Sequence, residues 1–411
     1  MRVWLVGMIA LLSVLLTGCA GGDAYFTFSH PIEQTGEVTH VNTQDAEKVL
    51  KFDDVQELLE EQTVLFEEDV HSTFAYDSLS DTEKLWYRDI NDTLGNLLEK
   101  QELTPKGLEM GLQEADIDRI FQCVLNDHPE YFYVEGYTYI RFTRAEKTVK
   151  IEFSGTYSMN REEALQRKRQ IDEASQEILA NIPREASDYE KIKYVYETLV
   201  YQTEYDLSAP DNQNIYSVLV NHRSVCQGYA KTLQYLLNRL GVECTLVAGT
   251  VDTGEGHAWN LVKSSGNYYY VDATWGDAFY LVEEAGGSAD NLPQINYDYL
   301  CITTEQLLRT HTLGGVVPMP VCDSLEDNYY VREGVYFTEI NEQQLETVFQ
   351  NAANQGQTEI ALKCADRSVY EEMVRNLITD QKIFSYMSGD GGSVAYAQNE
   401  KQLSMTFWLA N

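Results

Sequence analysis

The sequence predicts an α+β protein in which a helix followed by antiparallel strands forms the central part. Apolar residues keep a helical spacing through most of residues 46–183, whereas both helical and alternating spacings occur in residues 326–411. Between these parts, residues 184–325 contain an amphipathic helix that begins at a cysteine, and then two alternating segments joined by a turn. We therefore expect a helical N-terminal domain, an α+β core and a small α+β C-terminal domain.

The first residues have the pattern of an export signal. Arg2 precedes an apolar run over residues 3–16, which is too short to span a bilayer after processing. The run ends in Leu-Thr-Gly-Cys at Cys19, which resembles the lipobox of bacterial lipoproteins. This resemblance implies that residues 1–18 are a lipoprotein signal peptide, that Cys19 carries lipid, and that residues 19–45 form a tether. An uncleaved membrane anchor or an ordinary secretory signal is the alternative.

Residues 46–183 are predicted to form a mostly helical domain that contains one hairpin. An amphipathic segment over residues 116–125 predicts a helix, and alternating apolar residues over 131–157 predict the hairpin. A charged amphipathic helix follows over residues 161–182 and ends at Pro183, because proline cannot continue a helix.

Cys226 begins the helix that is central to the predicted core. Leucines recur after it at helical spacing until Gly241 ends the pattern. Unpaired backbone N–H groups and the positive end of the helix dipole lie at the first turn, and both favour a thiolate over a thiol. The same N–H groups can receive the oxyanion that forms when a thiolate adds to an acyl carbon. Gly228 is expected to leave the approach to the sulfur open, because it has no side chain.

The register of a hairpin relates His257 to Asp272. Two predicted strands, residues 258–262 and 268–273, are joined by a Ser-Ser-Gly-Asn turn. Centring the turn on its Ser-Gly pair places Asp272 opposite Trp259, which lies two residues from His257. The two side chains are then diagonal neighbours on one sheet face, about 7–8 Å apart between backbones. At that distance a carboxylate can hold an imidazole N–H and fix the tautomer of the ring.

Residues 326–411 are predicted to form a separate module that carries no catalytic group. Its predicted order is strand, helix, strand, helix and two strands, over residues 335–337, 341–351, 359–363, 369–377, 394–397 and 403–409. Binding of substrate or cell wall is one role for this module, and stabilisation of the chain is the other. A glycine-rich acidic stretch over residues 283–291 predicts a loop near the mouth of a cleft.

Three motifs within residues 189–277 resemble the transglutaminase-like superfamily of cysteine enzymes, specifically its bacterial secreted members. They are Val-Cys-Gln-Gly-Tyr-Ala around Cys226, preceded by Ile-Tyr-Ser-Val-Leu, Gly-His-Ala-Trp-Asn around His257, and Val-Asp-Ala-Thr-Trp around Asp272. The resemblance implies a papain-like core, in which the nucleophile helix packs on an antiparallel sheet. It also implies that Cys226 is the nucleophile, that His257 is the base and acid, and that Asp272 orients the ring. The helical part before the core resembles the leader of some secreted relatives, which implies support or substrate gating.

Five residues near these motifs are candidates for the substrate cleft. Gln227 and Gly228 follow the nucleophile directly, and three aromatic residues can form walls of the cleft: Tyr216, Trp259 and Trp275. Ordinary core packing is the alternative for the aromatic residues.

Seven cysteines give an odd count. With Cys19 assigned to lipid and Cys226 to catalysis, Cys301 and Cys322 are the one pair proposed as a disulfide, because they flank one loop-rich stretch. The remaining cysteines have the apolar surroundings of buried small residues, and Cys244 is the clearest example. No metal-ligand spacing and no nucleotide motif is found, so we expect neither a metal nor another cofactor.

The charge balance limits the partners of this protein. A formal net charge of −35 over 411 residues argues against nucleic-acid partners and against docking of the protein surface on anionic lipid. Attachment to the outer face of a bacterial cell membrane would therefore rely on the lipid at Cys19.

The combined features predict a surface-anchored cysteine enzyme that acts on a protein or peptide. A peptidase or amidase that forms a thioester at Cys226 is the preferred interpretation, and a cross-linking transglutaminase is the first alternative. A binding lipoprotein that keeps the fold without turnover is the alternative from another class.

Overall fold

The computed structural model describes one short N-terminal strand and most of the chain from residue 72 onward: residues 33–35, 72–144, 147–277, 295–387 and 394–408. The predicted signal peptide, Cys19 and the predicted loop over 283–291 lie outside these residues. Within the described ranges, no helix combines the length and the apolar character that a membrane crossing requires. The architecture is α+β, as the sequence predicts.

The N-terminal part consists of a four-stranded sheet and helices that pack against it. Its elements are β1 (Glu33–Thr35), α1 (Phe74–Asp77), α2 (Glu83–Gly95), β2 (Gln101–Glu102), α3 (Pro105–Glu109), α4 (Asp116–Asp127), β3 (Val134–Arg144), β4 (Lys147–Tyr157) and α5 (Arg161–Leu179). Strands β3 and β4 form the predicted hairpin. Strand β1 pairs in parallel with β3, so the predicted tether over residues 19–45 includes a short strand. The unpaired backbone groups on the edge of β3 account for this pairing.

The central part carries the predicted cysteine helix and an antiparallel sheet of order β10-β7-β8-β9. A 3₁₀ turn over Tyr297–Tyr299 precedes the last two elements. The other elements are α6 (Asp188–Gln202), β5 (Glu204–Tyr205), α7 (Ile215–Leu219), β6 (Arg223–Ser224), α8 (Cys226–Arg239), β7 (Cys244–Val251), β8 (Gly256–Ser264), β9 (Asn267–Val271), α9 (Ala273–Gly276), α10 (Thr304–Leu307) and β10 (His311–Leu313).

The predicted register of the central hairpin is confirmed. Asn260 pairs with Val271 and Ser264 pairs with Asn267, which places Asp272 opposite Trp259. Strand β9 ends one residue before Asp272, so residue 273 begins helix α9 and does not extend the strand. The reason is local, because the Asp272 carboxylate accepts hydrogen bonds from the backbone N–H groups of Thr274 and Trp275 and so caps α9.

Helix α8 packs against the central sheet through a nearly continuous buried face. Tyr229, Leu233 and Leu236 are fully buried in the same apolar cluster as residues of β7 and β8. The buried amide of Asn260 donates a 2.9 Å hydrogen bond to the carbonyl oxygen of Ala230, which ties the helix to strand β8. This contact fixes the height of the helix, and therefore of Cys226, above the sheet.

The C-terminal module contains the six predicted elements in the predicted order, and two short helices and a π-helical turn in addition. Its elements are α11 (Tyr329–Arg332), β11 (Tyr336–Phe337), α12 (Glu342–Asn354), β12 (Glu359–Cys364), α13 (Arg367–Val374), a π-helical turn (Arg375–Thr379), α14 (Ile383–Tyr386), β13 (Ala395–Asn399) and β14 (Ser404–Trp408). The sheet order is β11-β12-β14-β13, and the module has its own apolar core around Leu345, Phe349 and Met405.

The N-terminal and central parts, by contrast, share one apolar core. Buried residues such as Phe121 and Phe153 belong to the same cluster as Tyr229 and Val262, on both sides of the predicted boundary at residue 183. A side-chain hydrogen bond of 2.8 Å from Asn126 to the carbonyl oxygen of Leu246 joins α4 directly to β7. Helix α4 is therefore part of the surroundings of the site.

Candidate active site

Cys226 is the first residue of helix α8. Val225 precedes it in an extended conformation, and among the described residues no side chain caps this end of the helix. The thiol is partly exposed and packs against a small apolar cluster of Ala230, Leu246 and Ala258. The uncapped N–H groups at this terminus are available to an anion, and the helix dipole has the same sign.

His257 lies between Asp272 and Cys226. Its Nε2 is 2.7 Å from Oδ2 of Asp272, and both side chains are almost completely buried. The ring also has an electrostatic and hydrogen-bonding interaction with Cys226, for which Nδ1 remains available. The structure thus brings together the three residues that the sequence singled out, in the order thiol, imidazole, carboxylate. This order is suited to nucleophilic acyl transfer.

The charges of this group support one another. Burial opposes a charged ring at His257, but the charge and hydrogen bond of Asp272, together with Cys226, outweigh it and raise the pKa of His257 to about 10. Burial also opposes ionisation of Asp272, yet His257 and His311 hold the pKa of this carboxyl well below its ordinary value. At neutral pH the histidine is therefore protonated and the carboxyl is ionised. A protonated ring beside a cysteine stabilises the thiolate.

His311 is a fourth member of the group that the sequence did not single out. Its Nε2 is 3.1 Å from the same oxygen of Asp272, and its Nδ1 is 2.8 Å from the hydroxyl of Thr310. Burial lowers the pKa of His311, although Asp272 partly offsets this effect, so the ring is neutral at pH 7. The neutral ring donates from Nε2 to Asp272 and accepts from Thr310. Only the sheet order reveals it, because the three-residue strand β10 is too short for a periodic pattern.

His257, Asp272 and His311 are also the residues that could hold a metal ion. One ligand atom from each lies within 4.8 Å of the others, and all three side chains are buried. The ring nitrogens and the carboxylate oxygen are already joined by hydrogen bonds, which an ion would have to replace. The neutral and protonated histidines described above account for the arrangement without an ion.

Two of the aromatic cleft candidates surround the histidines. Trp259 is fully buried, with ring centroids 5.8 Å from His257 and 4.9 Å from His311. Trp275 lies 6.0 Å and 4.6 Å from the same two rings. Apolar walls of this kind exclude water from the histidine–aspartate contact, which strengthens its electrostatic interactions.

Tyr216 does not lie against these groups. Its hydroxyl donates a 2.9 Å hydrogen bond to Gln170, and the guanidinium of Arg167 lies over its ring at 4.8 Å. Both partners belong to helix α5, so the interpretation of Tyr216 as a cleft wall is replaced by packing between α7 and α5.

Gly228 has a packing role that the sequence did not predict, and its predicted role in the approach to the sulfur stays a prediction. A Cβ atom at this position would lie 1.9 Å from Oγ of Ser224, which is far too close. The Ser224 hydroxyl cannot move away easily, because it bonds to the hydroxyl of Ser217 and donates to the carbonyl oxygen of Asn212. The glycine therefore permits close packing of the helix terminus on strand β6. Gln227 is buried and lines a cavity beside Cys226.

The proposed disulfide is wrong, because Cys301 and Cys322 are both free and buried. Ile302 forms a bridge with Tyr270 and shares an apolar cluster with Cys322, whereas Cys301 belongs to the larger core. The two side chains therefore pack in different apolar clusters, and no bond joins their sulfurs.

Asp277, which follows the second strand of the hairpin, bonds to helix α8. It is buried and accepts a 3.2 Å hydrogen bond from the hydroxyl of Tyr229. His222 is an exposed residue of the polar turn before α8, with a φ of 55°. The carboxylate that bonds to Nε2 of His257 is that of Asp272.

The central segment matches known proteins. The transglutaminase-like superfamily matches residues 176–273. Kyphoscoliosis peptidase of Mus musculus is 28% identical over 24% of this chain and 18% of the relative. The same peptidase of Homo sapiens is 27% identical with the same coverage. The match thus spans less than a fifth of the length of these curated relatives.

Solved structures that match part of this chain have low sequence identity to it and low TM-scores. A crystal structure of a TGase is 14% identical and covers 34% of this chain and 50% of that chain, with a TM-score of 0.25. The periplasmic domain of TgpA from Pseudomonas aeruginosa is 16% identical and covers 34% and 58%, with a TM-score of 0.21. The match to the superfamily covers both Cys226 and His257 and reaches Asp272. Residues 176–273 of this chain thus match the transglutaminase-like superfamily.

Proposed function

We propose that the protein is a cysteine peptidase or amidase that cleaves a carboxamide or peptide bond through a thioester on Cys226. The position of the His257 ring, bonded to Asp272 at 2.7 Å and interacting with Cys226, carries this proposal. The match to the transglutaminase-like superfamily supports it at the level of the enzyme class.

In the first half of the reaction, the Cys226 thiolate attacks the carbonyl carbon of the substrate. A C–S bond forms, and the oxyanion accepts hydrogen bonds from N–H groups at the terminus of α8. His257 then gives its Nδ1 proton to the departing nitrogen as the C–N bond breaks, which leaves a thioester and a free amine. Asp272 stays ionised throughout and keeps the ring in position.

In the second half, water resolves the thioester. His257 takes a proton from the water, the hydroxyl adds to the acyl carbon, and the C–S bond breaks to return the thiolate and release a carboxylic acid. The partial exposure of Cys226 favours water as the acceptor over a lysine amine, since solvent has access to this thiol.

Alkylation of the native protein tests whether Cys226 is activated. Among the described cysteines, five are buried and only Cys226 is partly exposed. We expect iodoacetamide at neutral pH to label Cys226 rapidly, as read by mass spectrometry, and His257→Ala to slow the labelling. His222→Ala changes an exposed histidine instead and should leave the rate unchanged. A wild-type rate equal to that of free cysteine would favour a binding protein without turnover.

The products distinguish hydrolysis from transfer. With casein as the substrate and a fluorescent primary amine present, hydrolysis gives new peptide termini or free ammonia without incorporation of the fluorophore. We expect this result for the wild-type protein and no product for Cys226→Ala. Incorporation at a rate comparable to hydrolysis would assign a cross-linking transglutaminase instead.

We also propose that the mature protein is held at the outer face of a bacterial cell membrane by lipid on Cys19, and that its substrate is an envelope or extracellular protein. The lipobox-like sequence and the strongly acidic composition support this location. Growth with labelled palmitate is expected to label the wild-type protein but not Cys19→Ser. Label that persists in the variant would exclude this anchor.

A further inference from the structure

A cavity of about 80 Å³ lies beside the nucleophile, between helices α4 and α8, strand β7 and the segment that follows β10. A single water needs roughly 10–15 Å³ of such space, so the cavity can hold several non-hydrogen atoms of a ligand. Twelve residues form its lining: Gln122, Leu125, Asn126, Gln227, Lys231, Leu246, Ala248, Gly314, Gly315, Val316, Val317 and Met319.

The cavity is adjacent to Cys226 along both of the elements that support the thiol. Gln227 is the next residue of α8, and Leu246 of β7 lines the cavity while belonging to the apolar cluster on which Cys226 packs. The side chain of Asn126 bonds to both the carbonyl of Leu246 and the hydroxyl of Thr245, so the wall from α4 is held rigidly. A substrate attached to Cys226 can therefore extend a neighbouring group into a preformed space.

Lys231 is the single charged residue among the twelve that line this cavity. It lies four residues after Gln227 and thus on the same face of α8, and helical side chains incline toward the N-terminus, here toward Cys226. Among the described residues no carboxylate influences Lys231, and burial lowers its pKa to about 8. Other lysines do have carboxylate partners, such as Lys263 with Glu243 at 3.2 Å.

A lysine whose charge is opposed by burial would be expected to have a carboxylate partner in this chain. The sequence has 65 acidic and 30 basic residues, so a carboxylate partner is abundant for any lysine that needs one. A partly buried ammonium without a counter-ion is destabilising, and a ligand that supplies the negative charge removes this cost. The neutral lining around Lys231 offers no competing charge to such a ligand.

We propose that Lys231 binds a carboxylate of the substrate, so that the enzyme selects amide bonds next to an acidic residue or a free chain terminus. The proposal rests on the proposed acyl-transfer function and deepens it by naming the substrate class. Lys231 would be a specificity-determining residue: it holds the neighbouring group of the substrate, while Cys226 and His257 act on the amide.

Matched peptides test the selectivity. Each pair, built on a sequence that the enzyme cleaves in casein, carries either Asp or Asn beside the scissile amide. We expect wild-type kcat/KM to be roughly tenfold to a hundredfold higher for the Asp member, as for a charge-assisted hydrogen bond. Lys231→Met should abolish this ratio and Lys231→Arg should largely keep it. Lys263→Met, at an exposed lysine, should leave the ratio as in the wild type.

Two further sets of peptides identify whether the bound carboxylate belongs to a side chain or to a chain end. One set of peptides is amidated at the C-terminus and has Asp as its one acidic group, and the other has only neutral side chains and a free C-terminus. Selectivity in the first set assigns the site to acidic side chains, and selectivity in the second assigns it to chain ends. Equal kcat/KM for charged and neutral members of every pair would overturn the proposal. A Lys231→Met loss that is the same for both members would also overturn it.

Binding to Cys226→Ala separates this proposal from the function on which it rests. Fluorescence anisotropy of the same peptides should show tighter binding of the Asp member, and this difference should vanish when Lys231→Met is added. If wild-type protein turns over no peptide, the acyl-transfer function fails, but the binding difference still supports the carboxylate site. Equal binding of both members would contradict it. If Lys231→Met does not fold, as judged by its melting curve, the wild-type ratio and Lys231→Arg still decide the outcome.

Discussion

Replacing Asp272 by asparagine is expected to reduce kcat by about 10³–10⁴-fold while leaving the fold intact, as a change of ring tautomer does in related catalytic groups. The side-chain oxygen of asparagine can keep the cap of α9, because Oδ1 accepts from the N–H groups of Thr274 and Trp275. The amide nitrogen then takes the place of Oδ2, which faces Nε2 of His257 at 2.7 Å. Since this nitrogen donates, the ring must accept at Nε2 and carry its proton on Nδ1. A neutral ring with that tautomer cannot take a proton from Cys226.

The matched control for this variant is Asp277→Asn. Asp277 is also a buried aspartate of the same region, but it accepts from the hydroxyl of Tyr229, whereas Asp272 bonds to Nε2 of His257. Its substitution should change kcat by much less than that of Asp272. Steady-state kinetics with the best peptide substrate measures both variants. Similar kcat values for the two variants would contradict the orienting role of Asp272.

The pH dependence of the free energy of unfolding gives a second test of Asp272→Asn. Because the pKa of His257 is raised in the folded protein, its contribution is fully present below the unfolded value of about 6.5 and is lost as pH rises toward about 10. Because the pKa of Asp272 is lowered, its contribution is present above the unfolded value of about 3.9 and is lost as pH falls. The free energy of unfolding should therefore differ most between wild type and Asp272→Asn from about pH 4 to 6.5, and the difference should shrink toward pH 10.

The sequence predicted those parts of the site that depend on local pattern and on one turn. Helix α8 begins at Cys226, as predicted from the leucine spacing and from Gly241. The prediction succeeded because the single apolar face of an amphipathic helix produces this spacing in the sequence. The relation of His257 to Asp272 followed from hairpin register, since a two-residue turn fixes which residues are opposite. Both inferences use contacts between residues that are close in the chain.

The features that the sequence did not predict depend on contacts between segments that are distant in the chain. His311 reaches Asp272 because β10 pairs with β7, and no periodic signal marks a strand of three residues. Cys301 and Cys322 pack in different apolar clusters, which the spacing of the cysteines does not reveal. The close approach of Ser224 to Gly228 arises only in the folded protein, so the sequence does not reveal this steric requirement for glycine.

Replacing Asp298 by alanine is expected to destabilise the protein by about 3–5 kcal/mol, because it leaves a buried lysine without its partner. The carboxylate of Asp298 accepts from Nζ of Lys363 at 2.9 Å, and both side chains are almost completely buried. Burial lowers the pKa of Lys363, and Asp298 partly offsets this effect. Asp298 also accepts from Tyr330, Asn399 and Ser404, at 3.0, 2.9 and 2.6 Å. Denaturant unfolding measures the loss.

A double-mutant comparison identifies the cause. Lys363→Met removes the charge that Asp298→Ala leaves unpaired, so the double variant should be more stable than Asp298→Ala alone. Glu305→Ala is the matched control, because it breaks a pair with Arg309 in which the glutamate is 84% exposed, and should cost less than about 1 kcal/mol. If Asp298→Ala lowers the free energy of unfolding as little as Glu305→Ala does, the buried pair does not stabilise the protein.

The Asp298→Ala variant also tests whether the C-terminal module supports the position of Asp272. Lys363, Asn399 and Ser404 belong to β12, β13 and β14, whereas Asp298 lies in the 3₁₀ turn of the central part. The next residue of that turn is Tyr299, whose carbonyl oxygen accepts a 3.0 Å hydrogen bond from the backbone N–H of Asp272 and whose ring centroid lies 5.0 Å from that of Trp275.

Loss of the Asp298 contacts should therefore loosen the support of Asp272. We expect Asp298→Ala to lower kcat under conditions where the variant is still folded, although residue 298 does not contact the cysteine group, and Glu305→Ala to leave kcat unchanged. Unchanged kcat in folded Asp298→Ala would show that the module stabilises the chain without positioning the site.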